Sequence, residues 1–479
     1  MAFSDTARRC RDLILNNKAV TFLSVALFAF IISTLALASS NQNKKDAIQQ
    51  CEAAYNEKMK GPTCSVDIKS GLPDKDPVYL LKQGTSLQLW LPQESSLVWS
   101  KSVPQSTLLC AGTGNVIMKT NEVTSQMTCI EGTSFSLGGD VKATAKELEC
   151  KTNVLPDAID SGSPCGFEMG QMHHIGFKVS DTELITYIQS CFDSKRSSVL
   201  YTIHGLPGAA IKNAVGQVED SDWIRTGVPS AVNPDNSYKQ AQQKDQFTKL
   251  LGSAEQANKY ITDNHHLIVG HMTPKDDGIF RTWKRATFFY INAVPQWKTI
   301  KNGNWKRVET AIQEIAEHFK ENLLVIQGTS GVLKLPHQNG AEVPISLEET
   351  GIDVPLWTWK IVKSPSKDAG IAFVTLNNPF ETKVDNLTPP CDDICANTGF
   401  SVTQYKTFSE GYTICCDPDW LVKRVRHAPE EGMARTVLTR NMLPSTRTSC
   451  SSSYSDPCHD SCQLKPLPIV VIIELNNKF

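Results

Sequence analysis

Fifteen cysteines constrain how this chain can fold more than any other feature. Cys10 precedes a long apolar run, and the remaining cysteines, an even number, all follow it. This arrangement is typical of a protein that folds in an oxidising compartment and is stabilised by disulfides. A zinc site is disfavoured, because the adjacent Cys415 and Cys416 are poor tetrahedral ligands for one ion. The cysteines after the run are Cys51, Cys64, Cys110, Cys129, Cys150, Cys165, Cys191, Cys391, Cys395, Cys415, Cys416, Cys450, Cys458 and Cys462.

The apolar run spans residues 19–40 and contains no charged residue. A helix of about 20 apolar residues crosses a bilayer. Because basic residues precede the run, the positive-inside rule predicts a single-pass type II membrane protein with a lumenal or extracellular domain. The alternative is a secretory signal cleaved near Ala38, since Ala36-Leu37-Ala38 fits a small-x-small cleavage site. Both interpretations place residues 41–479 outside the cytosol.

Patterning along the rest of the chain predicts an α+β protein. Short alternating runs between Cys64 and Cys165 indicate a β-rich N-terminal region stabilised by disulfides. The runs HHIGFKV, LITYIQSCF and VLYTIHGL predict strands around a short helix, and the polar segment 233–258 predicts helix and loop. Apolar residues at spacings of three and four, from Trp305 to Phe319, predict an amphipathic helix.

The predicted division of the chain has six segments. They are a cytosolic tail (1–18), a transmembrane signal anchor or signal peptide (19–40), a stalk (41–60), a β-rich disulfide-containing region (61–165), a main domain (166–425) and a tail rich in Ser, Thr, Pro and Cys (426–479).

One block, residues 265–309, carries side chains suited to phosphodiester chemistry. His271 follows a glycine at the end of an apolar run, and an imidazole there can act as a base toward water. Asn292 lies in the segment YINAVPQW, and Glu309 lies four residues after Trp305 on the predicted helix. From the edge of the apolar stripe of that helix, Glu309 can point toward a histidine on a strand. The block therefore predicts a hydrolytic site.

The same block is basic. From Arg281 to Arg307 the chain has seven basic residues and no acidic one, although the net charge of the whole protein is −2. This pattern predicts a local surface that binds phosphates, and the alternative is a solvated basic face. The predicted substrate-binding residues are Arg281, Lys284, Arg285, Lys298, Lys301 and Lys306.

The block resembles the DNA/RNA non-specific endonuclease family, whose members have a ββα-metal site, and in particular its secreted arthropod branch. The family signature is Arg-Gly-His, then Thr-Phe-x-x-x-Asn-x-x-Pro-Gln, then Asn-x-Gly-Asn-Trp and a helix with Glu four residues after the Trp. This chain has VGH ending at His271, TFFYINAVPQ starting at Thr287, and KNGNW starting at Lys301, followed by Glu309. The likeness covers roughly residues 60–425.

The resemblance implies a ββα-metal nuclease fold, with a central antiparallel sheet flanked by helices, for the segment 166–425. It implies that His271 is the general base, that Asn292 lies close to the phosphate and metal, and that Glu309 holds the metal's water shell. The implied cofactor is Mg²⁺, and the candidate metal ligands are Asn292, Asn302 and Glu309.

Three positions depart from the family pattern. Val269 replaces the arginine before Gly-His, Lys301 replaces the asparagine that ligates the ion, and Gln313 stands where a basic residue often follows the helix glutamate. An ammonium group has no lone pair to donate to magnesium. Lys301 therefore predicts a degraded active site, and the neighbouring amide of Asn302 is the one substitute ligand that a shifted loop would offer.

These observations predict a membrane-anchored, extracytoplasmic member of this family that is catalytically impaired and still binds nucleic acid. Its expected partners are DNA or RNA without sequence preference, or another polyanion, and the membrane through the apolar run. The first alternative is an active Mg²⁺-dependent endonuclease with His271 as general base. The second alternative is a surface adhesion or receptor module built on the nuclease fold.

Overall fold

The computed structural model describes residues 63–443, except 93, 101–104 and 219–221. The predicted cytosolic tail, apolar run and stalk lie outside the described residues, as do residues 444–479.

The N-terminal region is built from short strands. They are β1 (Cys64–Asp67), β2 (Val78–Gln83), β3 (Ser86–Leu89), β4 (Ser96–Trp99), β5 (Gln105–Leu109), β6 (Thr124–Glu131), β7 (Ser134–Leu137) and β8 (Val141–Thr144). Six of them form an antiparallel sheet in the order β3-β2-β5-β6-β7-β8, and β1 pairs with β4. Trp99 and Phe135 pack edge to face in its core, with 4.8 Å between ring centroids. The predicted β-rich N-terminal region is confirmed.

A larger sheet organises the rest of the chain. Its strands are β9 (Asp157–Cys165), β10 (Gly170–Lys178), β11 (Leu184–Asp193), β12 (Ser198–Pro207), β15 (Asn322–Val332), β20 (Pro355–Ser364), β21 (Ala369–Leu376), β22 (Thr413–Cys416) and β23 (Thr436–Val437). The order is β22-β21-β20-β15-β12-β11-β10-β9, all antiparallel, and β23 pairs with β21 in parallel. The α+β class and the central antiparallel sheet are confirmed.

The expected short helix among the runs near residue 190 is absent from the described structure, because LITYIQSCF forms strand β11. Its β-branched and aromatic residues favour an extended backbone that packs on both faces. The sheet also crosses two predicted segment boundaries. Strand β9 begins at Asp157, before the predicted boundary at 165, and β23 lies beyond the boundary at 425.

The remaining strands form antiparallel pairs. They are β13 (Leu267–His271) with β14 (Ala293–Trp297), β16 (Lys334–Pro336) with β17 (Glu342–Pro344), and β18 (Ser346–Glu348) with β19 (Gly351–Asp353). The helices are α1 (Pro234–Ser237), α2 (Gln240–Leu251), α3 (Ala254–Asn258), α4 (Arg281–Arg285), α5 (Lys298–Ile300), α6 (Lys306–Phe319), α7 (Cys395–Thr398) and α8 (Pro418–Arg424). Helices α1 to α3 confirm the helical prediction for the segment 233–258.

Helix α6 is the predicted amphipathic helix. It buries Val308, Ile312 and Ile315 in the main core, together with Val325 of β15. The pair β13-β14 precedes it in the chain, so that the two strands and the helix form the ββα unit that carries the candidate site.

The side chains of strand β20 alternate between the two faces of the large sheet. Alternate residues of a strand point to opposite faces. Trp359 and Ile361 pack in a core cluster with Leu421 of helix α8. Lys360, between them, points to the other face, where its Nζ lies 4.0 Å from Glu309 of α6. Helices α6 and α8 therefore cover opposite faces.

Five disulfides join the ten cysteines that the structure describes, which confirms the predicted stabilisation. The pairs are Cys64–Cys129, Cys110–Cys150, Cys165–Cys191, Cys391–Cys416 and Cys395–Cys415. Among the described residues, one group of possible metal ligands lies close together, formed by Asp393, Cys395 and Cys415. The two cysteines are bonded to each other, so their sulfurs are not thiolate ligands.

Candidate functional site

His271 is the last residue of β13 and lies opposite Ala293 of β14. The glycine before it allows a close approach, since a Cβ at Gly270 would lie 2.2 Å from Gln296 Oε1. The imidazole packs against Trp223 and Phe288, with 4.5 and 4.8 Å between ring centroids. The imidazole at the end of the strand is therefore packed against aromatic side chains.

The environment keeps this imidazole neutral. Burial lowers the pKa of His271 well below the usual 6.5, and the positive charges of Lys301 and Lys275 lower it further. His271 Nε2 is shielded from solvent and has no hydrogen-bond partner among the described residues. A neutral imidazole with an unused nitrogen can accept a proton.

Glu309 and Lys301 form a short ion pair at the start of helix α6. Lys301 Nζ lies 2.6 Å from Glu309 Oε1, and the Glu309 side chain is only 3% exposed. Lys360 Nζ, on the neighbouring strand β20, lies 4.0 Å from the same oxygen. The carboxylate predicted to hold the metal's water shell therefore faces two ammonium groups.

Lys360 is the most deeply buried cation of the site. Its Nζ has no hydrogen-bond partner in the described structure and lies 5.1 Å from the ring centroid of Trp305. Burial lowers the pKa of Lys360 to about 8, although the negative charges of Glu309 and Asp277 oppose this shift. The indole face and the two carboxylates partly replace the lost hydration of the ammonium.

A second buried pair lies behind the first. His204 Nε2 lies 3.0 Å from Asp277 Oδ2, and Gln313 Nε2 donates a hydrogen bond of 2.9 Å to Asp277 Oδ1. Burial would raise the pKa of Asp277, but the bond and charge of His204 and the charge of Lys360 together hold it below its usual value. Gln313, one of the three departures from the family pattern, therefore braces this carboxylate.

Asn292 is fully buried and braces the backbone. Its Oδ1 accepts a hydrogen bond from the Thr273 amide at 2.9 Å. Its Nδ2 donates to the carbonyls of Thr287 and Thr273, at 2.8 and 3.2 Å. The amide thus closes the loop between β13 and β14.

Asn302 lies in the turn that leads into α6. Gly303 has a non-helical backbone (φ −92°, ψ −120°), and a Cβ there would lie 2.7 Å from the Glu410 carbonyl oxygen. Asn302 is exposed and lines a groove with Arg307 and Glu314. The structure therefore gives the three candidate metal ligands separate surroundings, because Asn292 binds backbone and Glu309 binds Lys301.

These side chains do not fit a magnesium ion. Mg²⁺ takes oxygen ligands in near-octahedral geometry and is usually held by one or two carboxylates. The single carboxylate of the candidate set, Glu309, is in contact with the Lys301 ammonium, and the Asn292 oxygen already accepts a hydrogen bond.

The predicted basic surface is divided by the fold. Arg281 turns toward the N-terminal region, where it donates to the Pro73 carbonyl at 3.2 Å and lies 3.9 Å from buried Asp76. The charge of Arg285 also acts on Asp76. Burial raises the pKa of Asp76 to about 6, and the two arginines oppose that shift. Both arginines therefore serve the contact between the two regions.

The lysines of the same set have different surroundings. Lys284 is almost fully buried, 3.8 Å from Asp276, and Lys306 lies 2.9 Å from the same carboxylate. Lys298 is exposed at the start of α5. Of the predicted substrate-binding residues, Lys301 is thus the one whose charge acts on His271, whereas Lys298 follows Trp297 at the other end of the β13–β14 pair.

The site also contains four residues that were not predicted from the sequence, namely Lys360, His204, Asp277 and Trp223. The sequence does contain a signal for Lys360 and His204, because each is a basic residue in a largely apolar run. Lys360 lies in WTWKIV and His204 lies in LYTIHGL. Charged residues are almost never fully buried unless they are paired. The sequence has no comparable signal for Asp277, which ends a short 3-10 helix after β13, or for Trp223, which reaches the site from a loop.

Comparisons with known proteins place the site in context. A model of the family described as DNA/RNA non-specific endonuclease matches residues 168–420. A salivary endonuclease of Lutzomyia longipalpis is 30% identical over 84% of this chain and 92% of that protein. Salivary protein Tsal2A of Glossina morsitans morsitans is 26% identical over 77% of this chain and 92% of that protein. A salivary endonuclease of Culex quinquefasciatus is 25% identical over 60% of this chain and 76% of that protein.

The predicted single-pass type II membrane placement is wrong. The finding against it is that the similar proteins have salivary names. Among the described residues, no helix is long and apolar enough to cross a bilayer. The apolar run itself lies outside the described residues. Its length was the basis of the prediction, and length did not discriminate, because signal peptides and anchors share an apolar stretch after basic residues.

Proposed function

The chain belongs to the DNA/RNA non-specific endonuclease family, and on that premise we propose that it binds nucleic acid beside His271 without magnesium-dependent turnover. The observation that carries this proposal is the 2.6 Å contact between Lys301 Nζ and Glu309 Oε1. The Lys301 ammonium contacts the Glu309 carboxylate, which would otherwise accept hydrogen bonds from the water shell of a metal.

Electrostatics opposes the entry of a divalent ion. Two unit charges 4 Å apart interact by roughly 4 kcal/mol at an effective dielectric constant of 20, and a divalent ion doubles this repulsion. Lys301 and Lys360 both lie within 4.0 Å of Glu309 Oε1. Moving Lys301 away would break a mostly buried pair, a change that typically costs about 3–5 kcal/mol. Magnesium would have to overcome the repulsion if Lys301 stayed in place, or the cost of the broken pair if Lys301 moved away.

Lys301, together with Lys298, supports phosphate binding. Lys298 is exposed and Lys301, three residues later, is partly buried. The positive charge of Lys301 lowers the pKa of His271. Phosphate contacts carry no base information, so binding through them is independent of sequence. With so few cations available, the salt dependence should be shallow, because each phosphate neutralised on duplex DNA contributes a slope of about −0.9.

Retained endonuclease activity is the second candidate function. The neutral His271 imidazole, with its unused Nε2, favours it, because such a nitrogen can take a proton from an attacking water. Two of the similar proteins are named salivary endonucleases. In this alternative Lys301 and Lys360 would stabilise charge on the phosphate.

Digestion of plasmid DNA and total RNA, with Mg²⁺ or Mn²⁺ and with a chelator as control, separates the two candidates. We expect no metal-dependent cleavage by the wild type and a gain of cleavage by the double variant Val269→Arg/Lys301→Asn. Adding His271→Ala to the double variant should remove that gain. Loss of one transition-state donor typically lowers the rate about 100-fold to 1000-fold. Metal-dependent cleavage by the wild type that His271→Ala abolishes would disprove the proposal.

Fluorescence anisotropy with a labelled duplex tests the binding half of the proposal. The variant Lys298→Ala/Lys301→Met should bind more weakly, and its slope against salt should be shallower by up to about 1.8. Lys334→Ala is a matched control, because Lys334 is exposed on strand β16. Equal affinity of the double variant and the control would contradict binding at this site.

A further inference from the structure

A second surface with nucleic-acid chemistry lies around helix α8. Two aromatic side chains are unusually exposed there: Phe167, in the turn between β9 and β10, is 70% exposed, and Trp420, on α8, is 58% exposed. The turn touches the segment that follows α8, because a Cβ at Gly166 would lie 3.3 Å from His427 Cβ. The turn that carries Phe167 therefore packs beside the segment that follows α8.

Arginines accompany both rings. The Arg426 guanidinium lies 5.2 Å from the ring centroid of Phe167, and that of Arg424 lies 5.9 Å from the ring of Trp420. Lys423 is exposed beside them. Phe167, Trp420, Lys423, Arg424 and Arg426 are called the α8 surface below.

The charges of the α8 surface are available to a ligand. In the described part of the chain, Lys423, Arg424 and Arg426 form no ion pair with a carboxylate, whereas neighbouring Arg435 is paired with Asp368. The carboxylates at the start of α8 are engaged with backbone. Asp417 accepts from the amide of Asp419, and Asp419 accepts from the amide of Ala434, at 2.8 and 2.9 Å.

The α8 surface is separate from the His271 site. Leu421 and Val422 of α8 pack against the sheet face that carries Trp359. Lys360, the next residue of β20, points to the other face and approaches Glu309. The thickness of the sheet therefore lies between the two surfaces.

We propose that the α8 surface binds single-stranded nucleic acid, with bases stacked on the Phe167 and Trp420 rings and phosphates held by Lys423, Arg424 and Arg426. Every base has a π face, and stacking on exposed aromatic residues or guanidinium planes is how proteins hold unpaired bases. A duplex keeps its bases stacked internally and offers phosphates alone. The inference rests on the proposed function in taking nucleic acid as the ligand, but it assigns a different site.

The test is anisotropy with a labelled oligothymidylate of about 20 nucleotides, longer than the roughly 4–16 nucleotides that one single-strand module covers. Phe167→Ala and Trp420→Ala should each weaken binding about 5-fold to 150-fold, the range for loss of one stacked base. Trp420→Phe should retain most of the affinity, because it keeps a ring. The matched control is Met118→Ala/Lys142→Ala, which removes one exposed apolar and one exposed basic side chain from the N-terminal region.

Ultraviolet cross-linking of a bromouridine-substituted oligonucleotide gives a second readout, which should label the peptides that contain Phe167 or Trp420. The proposal is overturned if both alanine variants bind like the control. It is also overturned if Arg424→Ala/Arg426→Ala weakens heparin and oligonucleotide binding equally while the aromatic variants change neither, since that result describes a general polyanion surface.

The experiment also separates this inference from the proposed function. Loss of binding in Lys298→Ala/Lys301→Met, with none in the α8-surface variants, overturns the α8 surface alone. If the α8-surface variants lose binding while Lys298→Ala/Lys301→Met binds duplex and oligonucleotide like the wild type, the His271 site is overturned and the α8 surface is supported. A wild-type protein that binds neither ligand overturns both.

Discussion

Lys301 Nζ lies 2.6 Å from Glu309 Oε1, although eight residues separate them across the turn into helix α6. On a regular helix, residues eight apart are about 12 Å apart along the axis. The non-helical backbone of Gly303 interrupts that spacing and lets the lysine side chain reach the carboxylate. The motif that suggests a nuclease therefore contains an internal ion pair.

The first prediction concerns magnesium binding. Lys301→Asn replaces the ammonium with an amide oxygen, so we expect Mg²⁺ to raise the melting temperature of this variant and not that of the wild type. A ligand present at about 100 times its Kd stabilises a fold by about 2.7 kcal/mol. Thermal denaturation with and without Mg²⁺ measures the effect, with Lys334→Asn as control. An equal magnesium shift in the wild type would contradict the ion-pair interpretation.

The second prediction concerns the protonation of His271. Burial and the charges of Lys301 and Lys275 lower the pKa of His271, so the imidazole should stay neutral when an ordinary histidine titrates near 6.5. Histidine-selective isotope labelling and NMR titration can follow it, with His271→Gln used to assign its signal. Lys301→Met should raise the pKa of His271 because it removes one of the two charges. An unchanged pKa in that variant would show that Lys301 does not act on the imidazole.

The third prediction concerns the buried carboxylate between the two regions. The pKa of Asp76 is raised from 3.8 to about 6, so the folded state binds this proton more tightly than the unfolded state. Its contribution to stability is present below 3.8 and is lost as the pH rises through about 6. Asp76→Asn mimics the protonated form and should stabilise the protein above pH 6 by about 1–3 kcal/mol.

Denaturant unfolding of the wild type and Asp76→Asn on both sides of this pH window measures the difference. The two proteins should converge below the lower limit of 3.8. Destabilisation by Asp76→Asn at high pH would mean that the attraction of Arg281 and Arg285 outweighs the cost of burying the charge.

The fourth prediction separates structural from binding cations. Arg281→Ala should leave duplex affinity unchanged and lower the melting temperature, because this arginine donates to Pro73 and faces Asp76. Lys298→Ala should do the reverse, since Lys298 is exposed and its loss should flatten the salt slope by about 0.9. Anisotropy and thermal melting of both variants provide the comparison. If a folded Arg281→Ala variant binds duplex more weakly, Arg281 belongs to the nucleic-acid-binding surface and the prediction is wrong.

The fifth prediction concerns Lys360. Its pKa is lowered from 10.5 to about 8, so the unfolded state binds this proton more tightly and stability should rise as the pH increases from 8 to 10.5. Lys360→Met removes the buried charge and should stabilise the protein below pH 8 by about 1–3 kcal/mol, with a smaller gain at higher pH. Unfolding curves across this window test it. A loss of stability would show that the attraction of Glu309 and Asp277 dominates.

The local features of the ββα unit could be read from the sequence. Val308, Ile312 and Ile315 repeat at helical spacing, and the structure buries them on one face of α6. A repeat of this kind depends only on residues within a few turns, so no distant partner is needed to predict it. The short helix expected among the runs from HHIGFKV to VLYTIHGL does not form in the part of the chain that the structure describes. A short apolar run fits a helix or a strand equally well, and LITYIQSCF becomes a strand because it pairs with β10 and β12.

The family, the disulfide-rich character and the places of His271, Lys301 and Glu309 in the motif can all be recognised in the amino-acid sequence. Which charges meet depends instead on how the chain folds. Arg281 finds its acceptor in Pro73, 208 residues away, and Lys360 is placed beside Glu309 by the sheet. The physical reason is that charge pairing and desolvation depend on distance and burial in space, and a run of basic letters contains neither.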